Sequence, residues 1–331
     1  MLRCCASSRV DWAVTEAGKR LLIGEDALDA LAARLEVPDA SSSSHWREMH
    51  RHLSIENREV VSALGFGGFA RPYRGLRKLG HALLQRRYRG MAQVYPDFER
   101  LDQLANTLVA RQNRAYDLDV LRQTATAALL SHYVPEAFDG QSLVVVIGDG
   151  FGSLATLLAA GFPTCRLLLI NLTQTLLVDL LMLRKGLAEV DFALAEDADS
   201  LREGLNRPDL RVLALRADDQ ALIATVPLVA AVNVASMQEM RMDTIAGYIA
   251  ALRASPSAPV PFYCCNREEK HLPNGETIRF ADYPWDPEDE VLLDELCPWH
   301  QEYYTLRPPF YHLYDGPHQH RLVLLAASPA A

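Results

Sequence analysis

What this chain lacks narrows it quickly. It has no apolar run of about 18 charge-free residues, the length a membrane-spanning helix needs, so no membrane span is expected. Residues 1–14 carry Arg3, Arg9 and Asp11 where a secretory leader would have a continuous apolar core, so a cytoplasmic location is expected. Cysteine is sparse, six in 331 residues, and the adjacent pairs Cys4-Cys5 and Cys264-Cys265 do not suit a disulfide framework. Excess positive charge is also missing. The net charge of −9 argues against nucleic acid as the main partner. A local basic stretch, Arg74, Arg77, Lys78, Arg86, Arg87 and Arg89, reads as a solvated helix face or a contact to an anionic group such as a nucleotide diphosphate.

What is present is an ordinary globular composition, 49% hydrophobic and 23% charged, enough for one sizeable core plus a smaller appended region. Residues 1–138 read as a helical N-terminal region, part of it a lid over the substrate. Ala27, Leu28, Leu31 and Leu35 repeat at helical spacing, and Pro38 with Ser41 to Ser44 breaks the pattern into a linker. Leu101, Leu104 and Leu108, then Leu118, Leu121, Ala125 and Leu129, form two further stripes. Gly65-Phe66-Gly67-Gly68-Phe69 is a flexible loop that either closes over a pocket or simply bends.

Residues 139–331 alternate strands with helices. The expected strands are 143–147, 166–171, 191–195, 228–234, 261–265 and 321–326, with helices over 151–160, 176–187 and 240–253. That alternation predicts an α/β fold, a Rossmann-like doubly wound, mostly parallel sheet. Ligands of such sheets sit beyond the carboxyl ends of the strands, so residues just after the apolar runs are the candidate site.

The most informative segment is Leu143-Val144-Val145-Val146-Ile147 followed by Gly148-Asp149-Gly150-Phe151-Gly152-Ser153, a buried strand, a glycine-rich turn and a helix start. A dinucleotide fingerprint would place its third glycine at position 153, which is serine. The spacing G-x-G-x-G instead resembles the first motif of S-adenosyl-L-methionine (SAM) dependent methyltransferases. That resemblance assigns Gly148, Asp149, Gly150, Phe151 and Gly152 to the cofactor, and Asn171, 21 residues beyond Gly150, to the ribose hydroxyls. The chain departs from the pattern in two places: Val146 stands where an acidic residue usually precedes the turn, and Asn171 replaces an Asp or Glu. Asn233 to Met240 (NVASMQEM) is similar to the family's fourth motif, adding Asn233 and Ser236 to the cofactor set. Ser236 and Glu239 also fit a helix capping box.

Taken in order, IGDGFG, INL, SMQEM, CNREEK, YPW, CPWH and DGPxxHR over about residues 100–325 resemble the bacterial sugar O-methyltransferase family. The resemblance implies methyl transfer from SAM to a hydroxyl of a small-molecule acceptor: a sugar, nucleotide sugar or glycoside. Such chemistry wants a base and in-line placement of oxygen, methyl and sulfur. His300, Glu239 and His271 are the candidate bases, with His320 a further histidine beside the closing strand. Gln238, Asn266, Arg267, Lys270 and Trp299 are the candidate acceptor contacts. No metal is called for. Zinc at Cys264, Cys265, Cys297 and His300, and magnesium at Asp282, Asp286, Glu288 and Asp289, are alternatives, as is a homo-oligomer. Three rival activities stay open: transfer to a nitrogen or to a non-sugar natural product, nicotinamide-dependent oxidoreduction, and non-catalytic cofactor or sugar binding.

Overall fold

The computed structural model describes residues 20–63, 67–140 and 143–328. Residues 1–19, with Cys4-Cys5, and Gly65-Phe66 of the glycine-rich loop lie outside them. Nine strands form one sheet: β1 (Leu22–Ile23), β2 (Leu143–Ile147), β3 (Arg166–Asn171), β4 (Phe192–Leu194), β5 (Val212–Arg216), β6 (Ala230–Val234), β7 (Val260–Arg267), β8 (Glu290–Leu296) and β9 (His318–Leu325). Their order is β1-β4-β5-β3-β2-β6-β7-β9-β8. The run from β4 to β7 is parallel, and β1, β9 and β8 add antiparallel margins. This is the expected mostly parallel α/β sheet.

Strand periodicity explains why both faces are covered. In β2, Val144 and Val146 enter one apolar core while Leu143, Val145 and Ile147 enter the other. Each such side chain contributes about 1.5–3 kcal/mol by leaving water. The helices are α1 (Glu25–Ala32), α2 (Ser44–Met49), α3 (Gly75–Ala92), α4 (Phe98–Arg111), α5 (Leu118–Tyr133), α6 (Ser153–Gly161), α7 (Thr173–Gly186), α8 (Ala198–Leu205) and α9 (Met242–Arg253). Leu101 and Leu108 of α4 and Leu121 and Leu129 of α5 share the Val144 core with α6 and α7, while Leu201 of α8 and Ile245 of α9 cover the opposite face. The α1, α4 and α5 stripes are thus buried as their spacing predicts.

Three differences from the sequence reading matter. Strand β5 went unrecognised, although Val212, Leu213, Ala214 and Leu215 are fully buried. Strand β8 (EVLLDEL) also went unrecognised, because it lies at the exposed margin and its charged residues interrupt any alternation. Residues 38–44, read as a linker, instead strap across the carboxyl ends of β3 and β5. Asp39 accepts from Thr173 N (2.9 Å) and Oγ1 (2.5 Å), and Asp218 accepts from Ala40 N (3.0 Å), Ser41 N (2.8 Å) and Ser41 Oγ (2.7 Å). Ser43 then caps α2 by accepting from Trp46 N. Among the described residues, no helix is long and apolar enough to cross a membrane.

Candidate active site

Chain order reverses at β2, with β3 on one side and β6 on the other, and a crevice opens at their carboxyl ends. The glycine turn fills its floor. Gly148, Gly150 and Gly152 have φ of 72°, 87° and 59°, left-handed values that disfavour side chains. Each also has its own spatial reason. A Cβ at Gly148 would land on Ser236 Oγ, and one at Gly152 would lie 2.6 Å from the Asp179 carbonyl oxygen. A Cβ at Gly150 would have nothing within 4 Å, so this peptide borders open space, as a cradle for a ligand requires.

A buried polar layer holds the turn from beneath. Asp149 accepts from Leu154 N (3.0 Å) and Ala155 N (2.7 Å), capping α6, so its charge serves the turn. Asp179 accepts from Gly152 N (2.8 Å) and from Asn171 Nδ2 (2.8 Å). Arg114 donates to Phe151 O (3.2 Å), Ser153 Oγ (2.9 Å) and Gly68 O, tying the glycine-rich loop to the turn, and Phe69 stacks on Phe151 at 5.2 Å. Burial raises both carboxylates, Asp179 furthest, with Asp149 as its unfavourable neighbour and Arg114 offsetting in part.

Asn171 is a correction to the sequence reading. Its Oδ1 already accepts from Leu172 N (2.9 Å) and Thr175 Oγ1 (2.8 Å), so it does not accept from a ribose hydroxyl. Asn233 is likewise structural: Nδ2 donates to Ile147 O (2.8 Å) and Oδ1 accepts from Met237 N (3.1 Å) and Asn266 Nδ2 (2.9 Å). Asn266, fully buried, also accepts from Gln238 N (3.0 Å), and Gln238 Oε1 accepts from Arg267 N (2.7 Å). Together these amides fix the 233–239 turn, and the Gln238 side chain also bonds Glu239.

That turn delivers Glu239. Ser236 makes no capping bond and α9 starts only at Met242, so the capping-box alternative fails and the carboxylate lines the cavity, with the Gln238 side chain and His45 beside it. The cavity measures about 340 Å³ and is walled by Gly148 to Phe151, Ser236, Glu239, Lys270 and His300. Burial pushes Glu239 up to about 7, with Lys270 opposing the shift. His45 Nε2 lies 3.4 Å from its Oε1 and is held near 4 by burial, hence neutral.

The other candidate bases fare differently. His300 reaches the same cavity, but burial, then Arg122, drives it well below the usual imidazole range, so its imidazolium is costly. Its Nδ1 lies 3.4 Å from Cys297 Sγ and 3.7 Å from Cys265 Sγ. His271 is a second correction: it sits on the Glu269–His271 ribbon, its side chain 73% exposed, bonded to Thr277 Oγ1 and away from the cavity. Trp299 is a third, 1% exposed and packed edge-on against Tyr95 and His320, with no ring face left for a sugar. His320 is buried and bonded to Tyr263. Cys264 faces the other core and contacts Asn266, which removes it from the zinc set. In the magnesium set, the Asp289 carboxylate is taken by Arg253 and the Asp286 and Ala326 amides. Arg267 donates to Asp315 O (2.9 Å), while Lys270 lines the cavity as read.

Of the roof, only the glycine-rich loop stands among the sequence expectations. His45, Trp46 and Met49 of α2, Gly67 and Gly68, and Asp119, Arg122 and Gln123 of α5 close the cavity from the N-terminal side. Arg122, 3% exposed, donates to Trp299 O (2.9 Å), Glu302 O (2.8 Å), Tyr314 Oη (2.8 Å) and Asp119 Oδ1 (3.0 Å). A charged residue in the middle of an otherwise apolar α5 stripe was the one signal available.

No family model and no curated protein sequence matches the chain. Solved structures similar to it include the methyltransferase CalO6 (13% identity, 62% of this chain and 64% of that one, TM-score 0.37). Mitomycin 7-O-methyltransferase MmcR is similar at 14% identity over 62% of this chain and 57% of its own, TM-score 0.32. The glycopeptide N-methyltransferase MtfA, solved with sinefungin, is similar at 16% identity over 61% and 70%, TM-score 0.28. The chain thus spans less than two thirds of CalO6 and of MmcR. Scores of this size carry no inference about activity, and the functional reading rests on the site's own geometry.

Proposed function

We propose that this chain is a SAM-dependent methyltransferase whose acceptor is a hydroxyl on a sugar or glycosylated small metabolite. The observation that carries this reading is Glu239, a carboxylate raised to about 7 on the wall of the cavity whose floor is the Gly148–Gly152 turn. When bound, SAM supplies a methyl group on a sulfonium, displaced in line by the acceptor oxygen. Gly150 leaves room for it, and Ser236 lies beside the turn. Glu239, once ionised, takes the proton of the acceptor hydroxyl as its oxygen attacks, and a base with a pKa near the working pH suits that transfer. Lys270 and the neutral His45 flank the carboxylate.

The acceptor side favours a sugar. Asp119 and Arg122 also line a neighbouring pocket walled by Asp117, Tyr303, Tyr304 and Tyr314. Aromatic faces pack on the C–H face of a sugar ring while carboxylates accept from its hydroxyls. On the cofactor side, the cleft between Asn171, Ala217, Ser236 and Tyr248 is closed by Ser41, Ser43 and Trp46 to about 20 Å³. Adenosine entry there requires the 38–46 strap to lift.

The test is incubation with deuteromethyl-SAM and panels of glycosides, nucleotide sugars, phenols and amines, read by mass spectrometry. A methyl ether on a sugar hydroxyl, lost in Glu239→Gln, is expected. Label on amines or phenols alone overturns the sugar assignment, and no label with any acceptor despite cofactor binding overturns the catalytic one.

A further inference from the structure

Cys265, Cys297 and His300 come from two places in the chain, strand β7 and the turn after β8, where Cys297 opens the 3₁₀ turn Pro298–His300. Their two sulfurs and one ring nitrogen lie within 4.8 Å of one another, and all three residues are buried. We propose that this cluster is a site for a zinc-class divalent cation, bound by Cys265 Sγ, Cys297 Sγ and His300 Nδ1.

The distances carry the proposal. Zinc holds thiolate sulfur at about 2.3 Å and imidazole nitrogen at about 2.0–2.1 Å, so a tetrahedral site has sulfur-to-nitrogen edges of about 3.6 Å. The observed separations are 3.4 Å and 3.7 Å. Hydrogen bonding alone engages Nδ1 with one sulfur at a time, the other thiol turning to its neighbour. Nδ1 of a neutral imidazole has one lone pair for one thiol proton, yet two sulfurs are aimed at it. A cation uses all three atoms at once. Neither cysteine is in a disulfide, so both sulfurs are available as thiolates.

The donor set also says which kind of site this is. Two thiolates and one imidazole select zinc over magnesium or calcium. Three protein ligands with a fourth position left over mark an open site rather than a closed structural one. His300 stands on the wall of the cavity shared by Glu239 and the glycine turn, so the cluster lies directly behind that wall. Binding releases the two thiol protons. His300 is then a ligand, not a base, in keeping with Glu239 holding that role. The metal-binding inference does not depend on the methyltransferase reading, and its test needs no substrate.

The untagged full chain is made in zinc-supplemented medium, dialysed against metal-free buffer and analysed by plasma mass spectrometry. About one zinc per chain is expected, falling at least tenfold in Cys265→Ser and in Cys297→Ser and unchanged in Cys165→Ser and Cys264→Ser. Should the cluster variants fail to fold, wild-type protein stripped with chelator and refilled with Co²⁺ stands alone. A thiolate-to-cobalt charge-transfer band with intense tetrahedral d–d bands supports the site. Wild-type protein without retained zinc and without those bands overturns it and leaves a thiol–imidazole hydrogen-bond cluster. Zinc retained equally by the cluster variants also overturns it.

Discussion

The floor and the roof of the cavity are built on different rules. The floor comes from strand ends: the glycine turn after β2, the 233–239 turn after β6 and the segment after β7. Its residues are fixed by backbone geometry, three left-handed glycines, and by side-chain amides that tie one strand end to the next. The roof comes from residues before 140, spread over α2, a loop and α5, and Arg122 anchors it to carbonyls of the C-terminal segment at Trp299 and Glu302. The lesson is a division of labour, in which the floor positions the reacting groups and the roof decides what enters.

The largest effect should break the floor. Glu239→Gln is expected to lower kcat about 10²–10⁴-fold with little change in SAM affinity. In the wild type, kcat should rise with pH through about 7 as the carboxylate ionises, and the variant should lose that limb. An unchanged profile would remove Glu239 as the base. On the roof, Arg122→Ala leaves buried carbonyls without a donor and should cost about 3 kcal/mol in denaturant unfolding. It should also raise KM for the acceptor more than for SAM; the reverse order would move the acceptor elsewhere.

Titration sharpens the comparison further. Burial lifts both Glu239 on the floor, to about 7, and Asp117 by the roof, to about 6, the latter helped by Asp119. A carboxylate raised on folding lends stability that is full below its unfolded value and lost as pH rises through the folded value. The stability of Glu239→Gln and of Asp117→Asn relative to wild type should therefore grow as pH rises from about 4 to about 7. A difference that stays constant over that range would contradict the assignment.

Smaller effects separate the glycines and the strap. Gly152→Ala meets the Asp179 backbone and should cost about 1–3 kcal/mol beyond the strain of its φ, whereas Gly150→Ala should show only the strain. Thermal melts of the two decide this. Asp218→Ala frees the Ala40 and Ser41 amides, and stopped-flow mixing with S-adenosylhomocysteine should show association about threefold faster or more if strap lifting limits entry. No acceleration would mean the cleft opens another way.

The same division decides what the sequence discloses. Runs such as Leu143 to Ile147 and Arg166 to Asn171 announce buried strands, and the residues after them announce the floor. Motif spacing carries no orientation, which is why Asn171, Asn266 and Trp299 were placed at ligands when their side chains turn inward. Strand β8 hides because its exposed residues lack alternation, and β5 because four apolar residues are too few to stand out. The rest of the roof is invisible for a deeper reason: His45 and Arg122 meet the glycine-rich loop only through tertiary packing, and no periodicity in the sequence links them.

The central claim is that the Gly148–Gly152 turn is a SAM socket. Calorimetric titration with S-adenosylhomocysteine, beside NADH, of the wild type and of Gly150→Arg tests it most directly. Micromolar binding of S-adenosylhomocysteine by the wild type, lost in a variant that still shows a cooperative melt, is the predicted result. No binding to the wild type, equal binding to both proteins, or binding of NADH alone would contradict it.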